Sequence, residues 1–444
     1  MTIEIPAGAQ KVLAQLHKEG YEAYVVGGCV RDCVMGRIPN DWDITTSALP
    51  SEVKACFERT IDTGIQHGTV TVRMDGENYE VTTYRIDGKY EDGRHPKEVT
   101  FTPSLEEDLK RRDFTINAMA YNDRDGLVDL FDGVSDIKNR KIRCVGVARE
   151  RFFEDALRML RALRFSAQLN FDIEEETFLA IKELAQTLEK ISAERIQVEL
   201  VKLITSDHPE KMRDVYESGL SGVFFPEWDD MLLCEQNCLH HCYSVGEHSI
   251  KVMELVPADK KMRLAALLHD VGKPLCKKTD EKGIDHFVGH PSLGAKMARE
   301  ILQRLKFDNA TIDDVVRLVR YHDERPELSK RNVRRMMNRV GTEYMEDLFL
   351  LKKADTLGQS EFNREEKLAY LDSLDGYYRE ILESRDAVTV KQLQIDGKDL
   401  LELGVQRGPQ IGEILDELLK LVMEDPSMNQ KDVLLEEARK AMGS

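Results

Sequence analysis

The hydrophobic period of this chain changes once, near Ala148, and that change limits the folds open to it. Up to about Asp132, short apolar runs alternate in the manner of half-buried strands. EAYVVGG ends in a glycine pair, GTVTVRM and NYEVTTYR alternate or nearly so with β-branched residues, and Gly and Asp fill the connections. Asp75-Gly76, between the last two runs, suits a two-residue hairpin turn. From Ala148 onward apolar residues recur every three or four positions, as in FFEDALRMLRALRFSAQL and ERIQVELVKLI, the spacing of helices that bury one face. No strand-like alternation of comparable length follows. The pattern predicts an α/β head and then an all-helical body, punctuated by Pro226, Pro274, Pro291 and Pro326 and without a repeat of fixed period.

At 444 residues the chain is long enough for two to four domains with cores of their own. It holds no apolar run of about 18 residues, the length a membrane helix needs. Met1 to Gly20 is neither a basic-then-apolar signal nor an Arg-rich transit segment, so a cytoplasmic location away from membranes is expected. The 8 cysteines are scattered, which makes reduced thiols the default. Among them Cys234, Cys238 and Cys242 are spaced to fall on neighbouring turns of a buried helix, and they lack the Cys-x2-Cys knuckle of structural zinc sites. Their neighbours His240 and His241 are placed to shape a nearby pocket.

A net charge of −18 argues against a general polyanion binder. A nucleic acid would have to follow local basic runs, RFFEDALRMLRALRF or KRNVRRMMNR from Lys330 to Arg339, the second of which reads equally as a solvated helix face.

VGGCVRDCVMGRIPNDWDITT, Val26 to Thr46, sets Asp41 and Asp43 one residue apart. In an extended segment both side chains point the same way and repel unless a cation lies between them. Mg²⁺ takes one or two carboxylates and keeps places for water and phosphate oxygens. Upstream, a strand ends at Gly27-Gly28 and a helix begins, so free N–H groups favour a phosphate, Gly28 permits close approach and Arg31 adds a charged donor. These are parts that nucleotidyl transfer needs, with two metals about 4 Å apart activating a hydroxyl and neutralising pyrophosphate.

RFFEDALRMLRALRF carries Asp155 and Arg158 three apart, on one face of a continuous helix. A carboxylate accepts hydrogen bonds and a guanidinium donates them. Taken alone the two read first as a surface ion pair, but cytosine and adenine both show an amino donor beside a ring-nitrogen acceptor, so such a pair has the groups to choose C and A against U and G without a nucleic-acid template. Arg161 and Arg164 lie further round the same run and are candidates for triphosphate contact.

The segments GGCVRDCVMGRIPNDWDITT, DLKRRDFTINAMAY, DLFDG, FFEDALRMLRALRF and SAERIQVELVKL, in this order, resemble the class II tRNA nucleotidyltransferases, the CCA-adding enzymes and their bacterial poly(A) polymerase relatives. The resemblance implies a five-stranded α/β head followed by helical neck, body and tail. It also implies Mg²⁺ at Asp41 and Asp43, nucleotide binding by Gly28, Arg31, Arg112, Arg161 and Arg164, and base selection by Asp155 and Arg158. The implied substrates are the tRNA 3′ acceptor end, ATP and CTP, with the body gripping tRNA by shape and phosphate. RIDGKYEDGRHPKEVTFTPSLEEDLKRRD resembles the flexible loop that CC-only members lack and A addition requires. DTGIQHGTVTV stands where the poly(A) polymerase branch shows a basic run ending in Phe-x-Leu-x-His-Val. Full CCA addition is therefore expected. The alternatives are addition of the terminal A alone, poly(A) synthesis, and a signalling hydrolase whose head only binds nucleotide.

Further on, His248, His269-Asp270, His290, His322 and Asp355 supply imidazole and carboxylate ligands suited to Mn, Fe, Ni, Co or Zn. They resemble the all-helical HD phosphohydrolase superfamily. The resemblance gives His248, His269, Asp270 and Asp355 as core ligands, His290 and His322 as ligands of a second metal, and phosphodiester or phosphatase chemistry on damaged RNA ends. The expected boundaries are 1–140 for the head, 141–233 for neck and body, 234–360 for the HD domain and 361–444 for a helical tail.

Overall fold

Asp75 and Gly76 take φ of 54° and 89°, the two positive angles of a type I′ turn. They close the hairpin between β4 (Thr69–Met74) and β5 (Glu77–Thr83). In chain order the other strands of this region are β1 (Ala23–Val26), β2 (Ile44–Thr46), β3 (Thr60–Gly64), β6 (Arg85–Asp87), β7 (Val99–Phe101), β8 (Met119–Asn122) and β9 (Gly126–Asp129). In this computed structural model, which describes residues 2–87, 99–239 and 241–442, the chain forms two compact units, Met1–Asp229 and Asp230–Ser444.

In the first unit a mixed sheet runs in the order β3-β4-β5-β2-β1-β8-β9. The main sheet of the head thus has seven strands among the described residues rather than five. The additions are the edges, and both escape a periodicity reading. Strand β3 buries none of its five residues and β9 is partly buried throughout, so neither shows apolar alternation. At the centre β2 pairs antiparallel with β1, Ile44 opposite Val25, and parallel with β5, Ile44 opposite Val81. Ile44, Val25, Val81, Val70 and Val72 are fully buried. A separate ladder, β6 with β7, brackets residues 88–98, so the glycine-rich part of the expected loop lies outside the described residues.

The helix expected across residues 151–165 is broken. One helix spans Ala148–Glu154 and the next Leu157–Leu169, because Asp155 takes an extended backbone at φ −141° and ψ 104°. Its carboxylate accepts the N–H of Leu157 at 3.1 Å, so the acid caps the second helix instead of lying within it.

The second unit is helical around a core that includes Ile250, Met253, Leu264, Leu267, Leu318 and Leu351. The expected cysteine helix is absent, since the helix Pro226–Leu233 stops before Cys234. Asn237 instead takes its partners from a distant turn, its N–H bonding Asp285 Oδ2 at 2.8 Å and its amide bonding the Gly283 carbonyl at 2.5 Å. Cys234 is buried and Cys242 exposed, which gives the three thiols no common face. The eight cysteines are free thiols, and no helix among the described residues is long and apolar enough to cross a membrane.

The basic run is the helix Lys330–Val340, and every cation in it has a carboxylate partner. Lys330 meets Glu380 at 2.6 Å, Arg331 meets Glu424 at 3.0 Å, and buried Arg334 meets Asp386 at 2.9 Å. Arg335 pairs with Glu424 and Arg339 with Glu324. Four of these five side chains stay about half exposed, so the run is a solvated helix face whose charges are paired, with Arg334 alone buried, and not an open phosphate-binding stripe.

Candidate active site and metal centre

In the first unit Asp41 and Asp43 lie on the extended lead-in to β2, both open to solvent. The Asp43 carbonyl accepts the Val26 N–H at 2.9 Å, which ties the acids to the end of β1. The parallel register sets Glu80 of β5 beside Asp43, one step before the Val81–Ile44 pair. Partial desolvation pushes the Asp43 pKa up, Glu80 and Asp41 push it further, and Arg112 pulls it down. Three like charges with one cation among them fit hard divalent ions bound through oxygen. Glu80 was not foreseen from sequence; it was legible as the lone acid on the outward phase of NYEVTTYR.

Gly27 turns the chain out of β1 at φ 81° and ψ −126°, and Gly28 starts the helix Gly28–Val34. A Cβ on Gly27 would lie 3.0 Å from Arg112 Nη1, so this glycine is where the backbone and the arginine meet. Gly27→Ala is expected to cost about 1–3 kcal/mol of stability and to raise KM for nucleotide severalfold. Thermal melting and steady-state addition check it, and an unchanged KM contradicts the cradle. Arg112 itself reaches Asp108 at 3.5 Å. That acid is fully buried and also receives Arg111 at 2.8 Å and the Thr45 hydroxyl at 3.1 Å. Burial raises the Asp108 pKa, but Arg111 and Arg112 outweigh it and hold the group below its ordinary value.

Arg31, Arg161 and Arg164 converge on one aromatic ring, that of Phe165, at 5.3, 5.5 and 3.9 Å from its centroid. The π face offsets part of the repulsion among the cations, and carboxylates fix the rest. Arg161 donates twice to Asp113 Oδ2, at 2.8 and 2.6 Å. Arg164 Nε lies 2.7 Å from Glu199, both side chains buried. Arg31 is held by Asp32 at 2.7 Å and Asn117 at 2.8 Å. Burial raises the Asp113 pKa, yet Arg161 and Arg158 win and hold it at about 2. Burial lowers Arg164 to about 10 despite Glu199. The result is three preset cations, the arrangement a triphosphate requires.

Asp155 and Arg158 do not pair with each other. Asp155 is held by Arg195 at 2.8 Å, and Arg158 by Glu154 at 2.7 Å and by the Arg111 carbonyl at 3.0 Å. The helix break gives each its own support. Arg195 and Glu199 come from SAERIQVELVKL, where sequence reading found a motif and no role for either.

In the second unit all six expected ligands converge. His248 Nε2 lies 2.9 Å from Asp355 Oδ1 and 3.7 Å from Asp270 Oδ2, and His269 Nε2 lies 3.2 Å from the same oxygen. On the other side His290 and His322 Nε2 lie 3.3 and 3.5 Å from Asp270 Oδ1. Asp270 therefore joins two ligand groups, His248-His269-Asp270 and Asp270-His290-His322. Nδ1 of His269, His290 and His322 each meets the carbonyl three residues earlier at 2.8 Å, and His248 Nδ1 meets the Gly358 carbonyl at 3.2 Å. In the tautomer that donates from Nδ1 to those carbonyls, each Nε2 offers an inward lone pair to a metal. Buried His269 Nε2 has no hydrogen-bond partner, as expected of a donor atom set aside for a cation. The residues fit one or two divalent metals with mixed N and O ligation.

His241 joins this cluster from the side, its ring centroid 5.1 Å from that of His248 and its Nε2 3.4 Å from Lys273 Nζ. His240 lies outside the described residues. Sequence reading gave no role to Lys273, which is buried and reaches Asp270 Oδ2 at 2.6 Å.

Residues 23–143 match the family model described as the poly A polymerase head domain, residues 170–232 that of the probable RNA and SrmB- binding site of polymerase A, and residues 238–359 the HD domain. The CCA-adding enzyme of Levilactobacillus brevis is 36% identical over 431 residues, covering 96% of each chain. That of Enterococcus faecalis is 36% identical over 97% of this chain and 95% of its own. Among solved structures, the Bacillus stearothermophilus CCA-adding enzyme in complex with CTP matches over 98% of both chains, with a TM-score of 0.72 at 30% identity.

Proposed function

The chain belongs to the family of CCA-adding enzymes, and from that premise we propose that its first unit transfers CMP, CMP and AMP from CTP and ATP to the 3′ end of tRNA. The observation that carries this reading is the juxtaposition of Asp41, Asp43 and Glu80 with Arg112 at the Gly27 turn, in a unit that also presets Arg31, Arg161 and Arg164 around Phe165. The tRNA 3′-oxygen attacks the α-phosphorus, the bond to pyrophosphate breaks, and the hydroxyl proton passes to water. Asp41 and Asp43 would hold Mg²⁺, which when bound would lower the pKa of that hydroxyl and offset the charge of the leaving group. Arg31, Arg161 and Arg164 hold the triphosphate, and Arg112 holds phosphate oxygens at the Gly27 turn.

Asp155 and Arg158 are the base-reading pair of this proposal, each kept in place by a partner of opposite charge. Asp155→Ala is expected to cut the preference for CTP and ATP over UTP and GTP at least about tenfold, with triphosphate binding retained. Misincorporation assays on tRNA ending before CCA check it, and unchanged selectivity rejects the template role.

The buried His/Asp cluster favours a second reading for the other unit, metal-dependent phosphoester hydrolysis. Five residues able to share metal ions, with Asp355 on His248 as a sixth and four Nδ1 atoms set on carbonyls, are more than a packing role explains. When bound there, a Mn, Fe, Ni, Co or Zn ion supplies an activated water. Added Mn²⁺ or Ni²⁺ is expected to raise the melting temperature of the second unit in wild-type protein and not in Asp270→Ala, while that variant keeps nucleotide addition. Metal-induced stabilisation that survives Asp270→Ala contradicts the site.

A further inference from the structure

Beside the His/Asp cluster lies a cavity of about 300 Å³ lined by His322 and Asp355, so it opens on ligands from both halves of the metal centre. We propose that it is an anion pocket holding the phosphate of a single-nucleotide ester, with Lys352, Arg325 and Lys367 as its phosphate-binding residues. The proposal takes its chemistry from the hydrolase reading above, but its binding property stands apart from it.

The cations reach the cavity from three places. Lys352, one helical turn before Asp355, is 4% exposed. Its Nζ donates to the carbonyls of His322 and Glu324, both at 2.6 Å. Two of the three N–H bonds of a buried ammonium are thereby used, which leaves a donor for the cavity the side chain lines. Lys367 enters from the helix Arg364–Ser384 and donates to Gln359 Oε1 at 2.8 Å. The amide of Gln359 in turn donates to Asp355 Oδ1 at 2.9 Å, so this lysine is set in register with a candidate metal ligand. Arg325 stands at the rim, its side chain 54% exposed, and pairs with Asp323 at 3.3 Å. Against these three the lining offers the carboxylates of Glu366 and Asp355, and Asp355 is committed to His248. Such a cavity gathers the oxygens of a phosphate monoester or cyclic ester through charge-assisted bonds.

Size and lining give the rest of the ligand. The volume stands at the lower end of the roughly 300–1,000 Å³ that small-molecule sites span, enough for one nucleotide and too little for a duplex. Tyr370 and Leu371 form its less polar wall. The Tyr370 hydroxyl donates to the Pro326 carbonyl at 2.6 Å, which fixes the ring as a surface for a base or ribose.

Binding is read without turnover, by titrating inorganic phosphate and adenosine monophosphate into the full-length protein in EDTA and following heat. The head is the same in wild type and in Arg325→Met/Lys367→Met, so the difference between them isolates the cavity. Wild type is expected to bind both probes, adenosine monophosphate the tighter, and the double variant to lose at least tenfold in affinity for each. Lys352→Met is expected to act likewise, but as a buried side chain it is judged only alongside the two rim variants and a melting curve. Equal binding by wild type and the double variant overturns the pocket, and phosphate binding as tight as that of the nucleotide overturns the nucleotide-sized ligand. Phosphate binding without hydrolysis of any ester in the metal-loaded protein removes the hydrolase reading and leaves the pocket. Hydrolysis at wild-type KM in the double variant does the reverse.

Discussion

Asp43→Asn is expected to lower nucleotide addition by at least about a thousandfold, the scale of several kcal/mol of transition-state stabilisation, and to make the metal-free first unit harder to melt. Both effects come from one feature. Desolvation raises the Asp43 pKa, with Glu80 and Asp41 adding to it, and only Arg112 opposes them. A carboxyl whose folded pKa lies above its unfolded value is a burden on the folded state once it ionises. That burden is absent below the unfolded pKa, grows as pH rises through the raised folded value and is full at neutrality. The asparagine variant carries no such charge. Its melting temperature in EDTA is therefore expected to exceed that of wild type at pH 7 and to converge with it as pH falls into the carboxylate range. Activity moves the opposite way, because protonating Asp43 removes a metal ligand, so wild-type addition is expected to decline as pH falls and proton and metal compete for the carboxylate. Asp41→Ala is expected to share the loss of addition and to spare metal binding at the His/Asp cluster. Retained addition, or a wild-type pH dependence of melting in Asp43→Asn, contradicts this assignment.

Glu199→Ala is expected to be the most destabilising single change in the arginine cluster. It leaves the Arg164 guanidinium, whose side chain is 9% exposed, without the carboxylate 2.7 Å away. Stranding one partner of a buried ion pair costs about 3–5 kcal/mol. The same change releases Arg164 from the Phe165 ring, 3.9 Å from its guanidinium carbon, so KM for CTP and ATP is expected to rise together. Arg164→Met in the Glu199→Ala background removes the stranded charge and is expected to restore much of the stability and none of the nucleotide affinity. Chemical denaturation with steady-state kinetics on the four-member cycle separates the two effects. Additive losses in stability contradict the buried-pair account of how Arg164 is held.

The parts of the molecule written in local pattern were legible in the sequence. The central strands, the Asp75-Gly76 hairpin and the helical second half follow from periodicity and turn chemistry, and the six His/Asp candidates that donor type singles out come together in the second unit. What was not legible depends on partners far along the chain. The break at Asp155 was hidden because FFEDALRMLRAL keeps helical spacing across it, while Arg195, forty residues on, holds the acid in its capping position. The cysteine segment has helical spacing too, but Asp285 takes the Asn237 N–H that a helix would have used. The basic run Lys330 to Arg339 reads as open charge until Glu380, Asp386 and Glu424 fold onto it. Glu80 becomes part of the acidic site only through the β2–β5 register, which no local window contains.

The most direct measurement is a gel assay of purified protein with labelled tRNA transcripts ending before CCA, after C and after CC, each given CTP, ATP or both. Completion of all three to CCA is the expected result, with CTP alone stopping after the second cytidine and no product from Asp41→Ala. Extension of the CC-ended tRNA alone, by one A, contradicts full CCA addition and requires another source for the cytidines. Long A tails place the activity with poly(A) synthesis instead.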